Sequence, residues 1–261
     1  MTTERFGDDV TRLCERFRNR DRLALSRLIT LAARGDRLDE IAKSLDSDPA
    51  HHSRTRHSPT HPAPPTRVIA VTGGAGVGKS SLIGKLIDVI RSSGKTVAVL
   101  ACDPQSSFTG GALLGDRIRM SSRPNDDGVF IRSLATPSGR SGVAPHLDLM
   151  TGLLGQFRFD IVIVETVGAG QGDTAIRDVA EIVVVLVQPE TGDDLQWEKA
   201  GQLEIADVVV VHKSDLRGAV QIESQLSEFF NLPGCRPVPV LRVSSSKAQG
   251  LDDLWRTIAS L

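Results

Sequence analysis

The stretch Val71-Thr72-Gly73-Gly74-Ala75-Gly76-Val77-Gly78-Lys79-Ser80-Ser81 decides how this chain folds. An apolar run over 67–72 leads into it, and helix-compatible Leu82-Ile83-Gly84-Lys85-Leu86 follows. Gly73, Gly78, Lys79 and Ser80 fill every fixed position of the phosphate-loop pattern G-x-x-x-x-G-K-[ST]. The residue types follow from the chemistry. Glycines carry no Cβ, so the loop from Gly73 to Gly78 can turn its backbone N–H groups inward as a concave nest for phosphate oxygens. The helix that begins at Lys79, Ser80 and Ser81 adds its free N-terminal N–H groups and the positive end of its dipole. Lys79 is placed to reach the β- and γ-phosphates, and the Ser80 hydroxyl to ligate Mg²⁺. The pattern implies a nucleotide site.

Composition narrows the classes further. The 261 residues carry 31 Lys and Arg against 32 Asp and Glu, a net charge of −1. That balance gives no electrostatic footprint for a nucleic-acid partner. The three cysteines, Cys14, Cys102 and Cys235, are too far apart for a disulfide framework or a metal cluster, which fits a reducing, cytoplasmic setting. No apolar run approaches the roughly 18 residues of a membrane span, so no membrane association is expected. The arginine-rich N-terminus also holds Glu4, Asp8, Asp9, Glu15 and Asp21. Transit peptides are poor in acids, so this segment reads as part of the mature protein.

Residues 1–45 read as a small helical segment, with Val10, Leu13 and Phe17 on one apolar stripe and Leu25, Leu28, Ile29 and Ala32 on another. Gly35 is a stop, and Leu38, Ile41, Ala42 and Leu45 suggest a third short helix. Residues 46–66 shift to Ser, His and Pro without periodicity, which is linker composition. The linker holds His51, His52, His57 and His61. Their spacing matches no regular metal site, and no cysteine or carboxylate cluster accompanies them.

From residue 67 to 261, apolar strands alternate with helical segments. Strands are expected at 68–72, 96–101, 129–132, 160–164, 182–187, 207–211 and 238–243. Helices are expected at 79–92, 145–156, 193–202, 220–230 and 251–261. Near-continuous Val/Ile runs are what parallel strands buried on both faces require. The expected fold is α/β: a three-layer domain with a mostly parallel sheet, preceded by the helical segment, with ligands at the carboxyl ends of its strands.

Groups at those strand ends extend the nucleotide reading. Asp103 follows the second strand, and Asp116 lies on the loop beyond it; both are candidate metal- or water-positioning carboxylates beside the phosphates. Glu165-Thr166-Val167-Gly168 resembles a Walker B strand and its D-x-x-G turn, where the acid can hold Mg²⁺ and the Gly168 N–H can face a γ-phosphate. His212-Lys213-Ser214-Asp215 resembles the [NT]-K-x-D base-recognition motif. The Asp215 carboxylate can accept from the N1–H and 2-amino group of guanine, neither of which adenine offers. The Lys213 stem would cover the base face. Ser244-Ser245-Ser246, before Gly250, resembles the S-A-K loop that touches guanine O6. The order of these motifs favours GTP over ATP.

The run from Asp103 through Pro104, Gln105, Thr109 and Gly115 to Asp116 resembles the methylmalonyl-CoA mutase-associated GTPases (MeaB, also labelled ArgK), as does Glu165-Thr166-Val167-Gly168-Ala169-Gly170-Gln171. Gly192-Asp193-Asp194-Leu195-Gln196, followed by Lys199, is similar to a third mobile loop of that family, and 21–30 to its leading helices. The resemblance implies a P-loop GTPase that hydrolyses GTP to GDP and acts as a chaperone of an adenosylcobalamin-dependent acyl-CoA mutase, gating cofactor delivery and protecting or reactivating the mutase. It implies catalytic roles for Lys79, Asp103 and Glu165 and a Mg²⁺ site at Ser80, Asp103, Asp116 and Glu165. Coupling to the mutase would run through Arg119, Asp193, Gln196 and Lys199. The family usually has asparagine where His212 stands, and that asparagine contacts guanine N7 and ties the phosphate loop to the base loop. It also usually continues into a helical dimerisation arm, which is not seen before the sequence ends at Leu261, so dimerisation by that arm is unsupported here while a homodimer stays among the possible states. Two other readings stay open: a metallochaperone GTPase for a nickel enzyme, suggested by the linker histidines, and a nucleotide-dependent interaction module with little hydrolysis.

Overall fold

The computed structural model describes residues 9–46, 65–104, 125–136, 142–167, 171–189 and 200–261. In chain order its elements are α1 (Val10–Arg18), α2 (Arg22–Arg34), α3 (Leu38–Asp46), β1 (Arg67–Gly73), α4 (Lys79–Ser92), β2 (Val97–Pro104) and β3 (Val129–Thr136). There follow α5 (Leu147–Gln156), β4 (Ile161–Glu165), a 3-10 helix (Gln171–Asp178), β5 (Ile182–Val187), α6 (Ala200–Glu204), β6 (Val208–His212), α7 (Ala219–Phe230), β7 (Val240–Val243) and α8 (Leu251–Ser260). The chain divides into two compact units. One runs to Thr66 and includes Pro145–Arg158; the other joins Arg67–Ala144 to Phe159–Leu261.

The first unit is helical because its apolar residues recur at helical spacing and its ends are capped. Val10, Leu13, Cys14 and Phe17 of α1 and Ala24, Leu25, Leu28, Ile29 and Ala32 of α2 are buried. The Asp9 carboxylate accepts from Thr11 N–H, and Asp21 from Leu23 and Ala24 N–H, satisfying donors that a helix start leaves orphaned. Gly35 ends α2 with φ at 74°, as the composition anticipates. α5 belongs to this unit and packs against α2, burying Leu147, Met150, Leu153 and Leu154. Phe17 and Phe157 meet with ring centroids 5.6 Å apart, and the Arg20 guanidinium lies over the Phe157 ring.

The second unit is built on a seven-stranded sheet, in the order β3-β2-β4-β1-β5-β6-β7, and every pairing is parallel. All six residues of β5, Ile-Val-Val-Val-Leu-Val, are buried, as a strand covered on both faces demands. Leu82, Ile83, Leu86, Ile87 and Ile90 form the buried stripe of α4, which packs on β1, β2 and β4. The chain moves from β1 to β2 on one side of β1 and from β4 to β5 across to the other, so the order reverses at β1. Open α/β sheets bind ligands at that reversal.

Register sets which residues meet there. Val71 pairs with Glu165, Gly73 with Leu186, and His212 with Val243. β2 runs three residues past its expected end, because Cys102, Asp103 and Pro104 continue the ladder against Leu134, Ala135 and Thr136. Glu165 and His212 likewise close their strands rather than follow them. Asp103, Glu165 and His212 therefore stand on the carboxyl ends of the sheet strands. Among the described residues, no helix is long and apolar enough to cross a membrane.

Candidate nucleotide-binding site

A cavity of about 390 Å³ opens at the carboxyl end of β1, β2 and β4. It is lined by Ala75, Gly76, Gly78, Lys79, Ser80 and Ser81 from the glycine loop and start of α4, and by Cys102, Asp103, Glu165, Thr166, Val167 and Lys213.

Two glycines make the loop sterically feasible. Gly73 has φ at 143°, and a Cβ there would stand 2.5 Å from the Leu186 carbonyl oxygen of β5. Gly78 has φ at 99°, and its Cβ would stand 2.6 Å from His212 Cε1. Both sites are thus closed to a side chain by backbone angle and by space.

Lys79 is only 7% exposed. Its ammonium donates to the Gly73 carbonyl at 2.9 Å and to the Gly74 carbonyl at 3.2 Å. The cation thus lies along the rim of its own loop. Ser80 Oγ donates to Glu165 Oε1 at 2.6 Å, a short bond to a carboxylate. Asp103 and Glu165 are both buried, at 5% and 4% exposure. Oxygen donors on Ser80, Asp103 and Glu165, converging beside a glycine nest, are the ligand type of a hard cation such as Mg²⁺.

The second cluster lies around the end of β6. His212 is buried, with Nδ1 2.7 Å from the Val77 carbonyl oxygen and Nε2 2.7 Å from Ser245 Oγ. A carbonyl only accepts, so the proton must sit on Nδ1. Burial, ahead of the opposing Val77 hydrogen bond, pushes the imidazole below its ordinary pKa and keeps it neutral, so Ser245 donates to Nε2. Lys213 takes φ at 55°, and its ammonium donates to Gln188 Oε1 at 2.7 Å. Asp215 is exposed; its carboxylate accepts from Ser244 Oγ at 2.5 Å and, more weakly, from Ser246 Oγ at 3.4 Å. The Ser244 hydrogen bond, first among several, holds Asp215 below the usual carboxylate range. Ser244 itself is fully buried.

The structure therefore gathers Ala75, Gly76, Gly78 to Ser81, Asp103, Glu165 and Lys213 around one cavity, ties His212 to Val77 and Ser245, and ties Asp215 to Ser244 and Ser246. Asp116, Arg119, Gly168, Asp193, Gln196 and Lys199 lie outside the described residues, as do the four linker histidines. Two features escape a sequence reading. Thr166 Oγ1 donates to Thr72 Oγ1 at 2.9 Å, joining the ends of β4 and β1, and Gln188 holds Lys213. Gln188 has a signal in hindsight, being the first polar residue after the apolar run of β5. A buried threonine pair has none.

The family model described as methylmalonyl Co-A mutase-associated GTPase MeaB matches residues 48–261. A Pyrococcus abyssi protein named as a GTPase is 38% identical over 257 residues, covering 95% of this chain and 75% of its own. A fused isobutyryl-CoA mutase of Cupriavidus metallidurans is 38% identical over 202 residues, which cover 76% of this chain and 17% of that protein. Among solved structures, an LAO/AO transport system kinase shares the fold at TM-score 0.67 and 21% identity, over 99% of this chain and 76% of that one. The hydrogenase maturation factor HypB of Archaeoglobus fulgidus shares it at TM-score 0.58 and 18% identity, over 75% and 89%. With its phosphate loop on a parallel sheet and a family match over four-fifths of its length, the chain belongs to the methylmalonyl-CoA mutase-associated GTPases of the MeaB family.

Proposed function

We propose that this GTPase is Mg²⁺-dependent and serves as a chaperone of an adenosylcobalamin-dependent acyl-CoA mutase, using its nucleotide state to gate cofactor loading and to protect or reactivate the mutase. One observation carries the mutase reading: a segment 38% identical to this chain lies within a single polypeptide named a fused isobutyryl-CoA mutase. Fusion holds two modules at high effective concentration, which suits partners that act on one another.

In the proposed chemistry the nest of 73–78 N–H groups takes the phosphates. Lys79 exchanges the Gly73 and Gly74 carbonyls for phosphate oxygens, a substitution of strong acceptors that moves the cation little. Ser80, Asp103 and Glu165 would hold Mg²⁺, with Asp116 joining them. Mg²⁺, when bound, would neutralise triphosphate charge. Asp103 and Glu165 would orient the attacking water, and the Gly168 N–H would face the γ-phosphate. Nothing covalent is asked of the protein; positioning and fixed charge do the work. Asp215 would read N1–H and the 2-amino group of guanine, and the Lys213 stem would cover the base. Arg119, Asp193, Gln196 and Lys199 would relay the mutase's presence, a role that rests on the sequence.

Co-purification against a panel of cobalamin-dependent mutases, with a non-hydrolysable GTP analogue and with GDP, tests this. The expected outcome is capture of one mutase that differs between the two nucleotides. Normal nucleotide binding with no mutase retained in either state would refute the chaperone role and leave the GTPase standing.

A further inference from the structure

Guanine offers two acceptors on its outer edge, O6 and N7, and a protein that reads N7 must bring a donor to it. In the base-recognition motif that 212–215 resembles, the residue at that station is His212, and here its hydrogen-bonding capacity is already spent. Nδ1 faces the Val77 carbonyl and Nε2 faces the Ser245 hydroxyl, each at 2.7 Å. The two nitrogens of an imidazole point away from one another, so an N–H given to Val77 serves no second acceptor. The conclusion does not depend on protonation state. Neutral His212 has its one proton on Nδ1; a doubly protonated ring would give its second proton to Ser245, whose oxygen can accept.

The ring is also held in place sterically. It is 3% exposed, and Gly78 approaches so closely that a Cβ there would overlap Cε1 and Nδ1. Turning the ring toward a base would break two buried hydrogen bonds and leave the Val77 carbonyl and Ser245 hydroxyl to find other partners. An asparagine amide is smaller, has two N–H donors and can divide them between a backbone carbonyl and a base.

We infer that His212 is a positioning residue that staples the phosphate loop at Val77 to the base loop at Ser245, and that this protein binds guanine nucleotides without reading N7. This rests on the guanine reading above. Recognition of the base would then fall on its Watson–Crick edge, through Asp215, which Ser244 aims and charges. The consequence is a specificity determinant: nucleotides altered at N7 but intact on the opposite edge are accepted.

The experiment compares GTP with 7-deaza-GTP, which replaces N7 by C–H and changes nothing else, by calorimetry on the unmodified protein and on His212→Asn. For the unmodified protein the two affinities should agree within about threefold. In His212→Asn the freed amide donor should reach N7, giving a preference for GTP over 7-deaza-GTP of about five- to tenfold, the worth of one hydrogen bond. A merely structural role for His212 would lower both affinities together and leave their ratio alone. A loss beyond about threefold with 7-deaza-GTP on the unmodified protein would overturn the inference whether or not the variant folds. A ratio near one in both proteins would refute His212 as the determinant. Failure of the unmodified protein to bind GTP at all would instead sink the guanine reading on which the inference rests.

Discussion

Around the phosphates the loop from Gly73 to Ser80 is made of backbone, whereas the station at the end of β6 and β7 is made of side chains. In the first, Gly73 and Gly78 adopt angles and approaches that strain any other residue, and Lys79 is the charge held at the rim. In the second, His212 is tied to Ser245 and Asp215 to Ser244, by side-chain hydrogen bonds of 2.7 and 2.5 Å. Backbone N–H groups recognise negative charge and shape, which every nucleoside triphosphate has. A carboxylate fixed by its neighbours recognises the donor pattern of one base. The first region should set how tightly a triphosphate binds, and the second which one. His212 is the joint between them, since it holds Val77 on one side and Ser245 on the other.

That division predicts separable losses. Lys79→Ala removes the ammonium beside the nest and should weaken GTP and ATP alike, by roughly 100-fold or more, in calorimetry on a protein whose circular dichroism is unchanged. Retained affinity would mean that backbone alone holds the phosphates. Asp215→Ala should do the opposite, sparing the nest and cutting the preference for GTP over ATP by roughly 100-fold or more in a competition assay. A variant that loses both nucleotides equally would merge the two regions into one.

Gly78→Ala tests the joint. A methyl group at φ 99° that would stand 2.6 Å from His212 should cost about 1–3 kcal/mol of stability, read as a lower melting temperature. A variant as stable as the parent would show that His212 yields easily. A smaller effect is expected with pH. Burial lowers the His212 pKa from 6.5, so the unfolded chain takes up this proton before the folded one does. Its contribution is therefore neutral above pH 6.5, and stability is lost as pH falls below that value toward the lowered one. His212→Asn should flatten the fall in melting temperature as pH drops below 6.5. An unchanged slope would remove His212 from the titrating groups.

Much of this arrangement is legible in the residues. Val/Ile runs mark the strands, and the pattern from Gly73 to Ser80 marks the loop, because both signals are local. What is not legible is long-range. The apolar spacing of 147–156 says helix, but nothing in it says that its core is shared with α2. The three extra residues of β2 are invisible because Asp103 and Pro104 are poor strand formers held by their partner strand. His212 stands at the end of β6, but from sequence alone its ring has an N–H to offer a base. Only the positions of Val77 and Ser245 show where its hydrogen bonds go.

The most direct test of the division is a competition assay on the unmodified protein with all four nucleoside triphosphates at equal concentration. A strong preference for GTP, with ATP, CTP and UTP each displaced, is the predicted result if Asp215, hydrogen-bonded by Ser244, is the proposed acceptor of the two guanine donors. ATP bound as readily as GTP would contradict it and would mean that the side-chain station does not read the base.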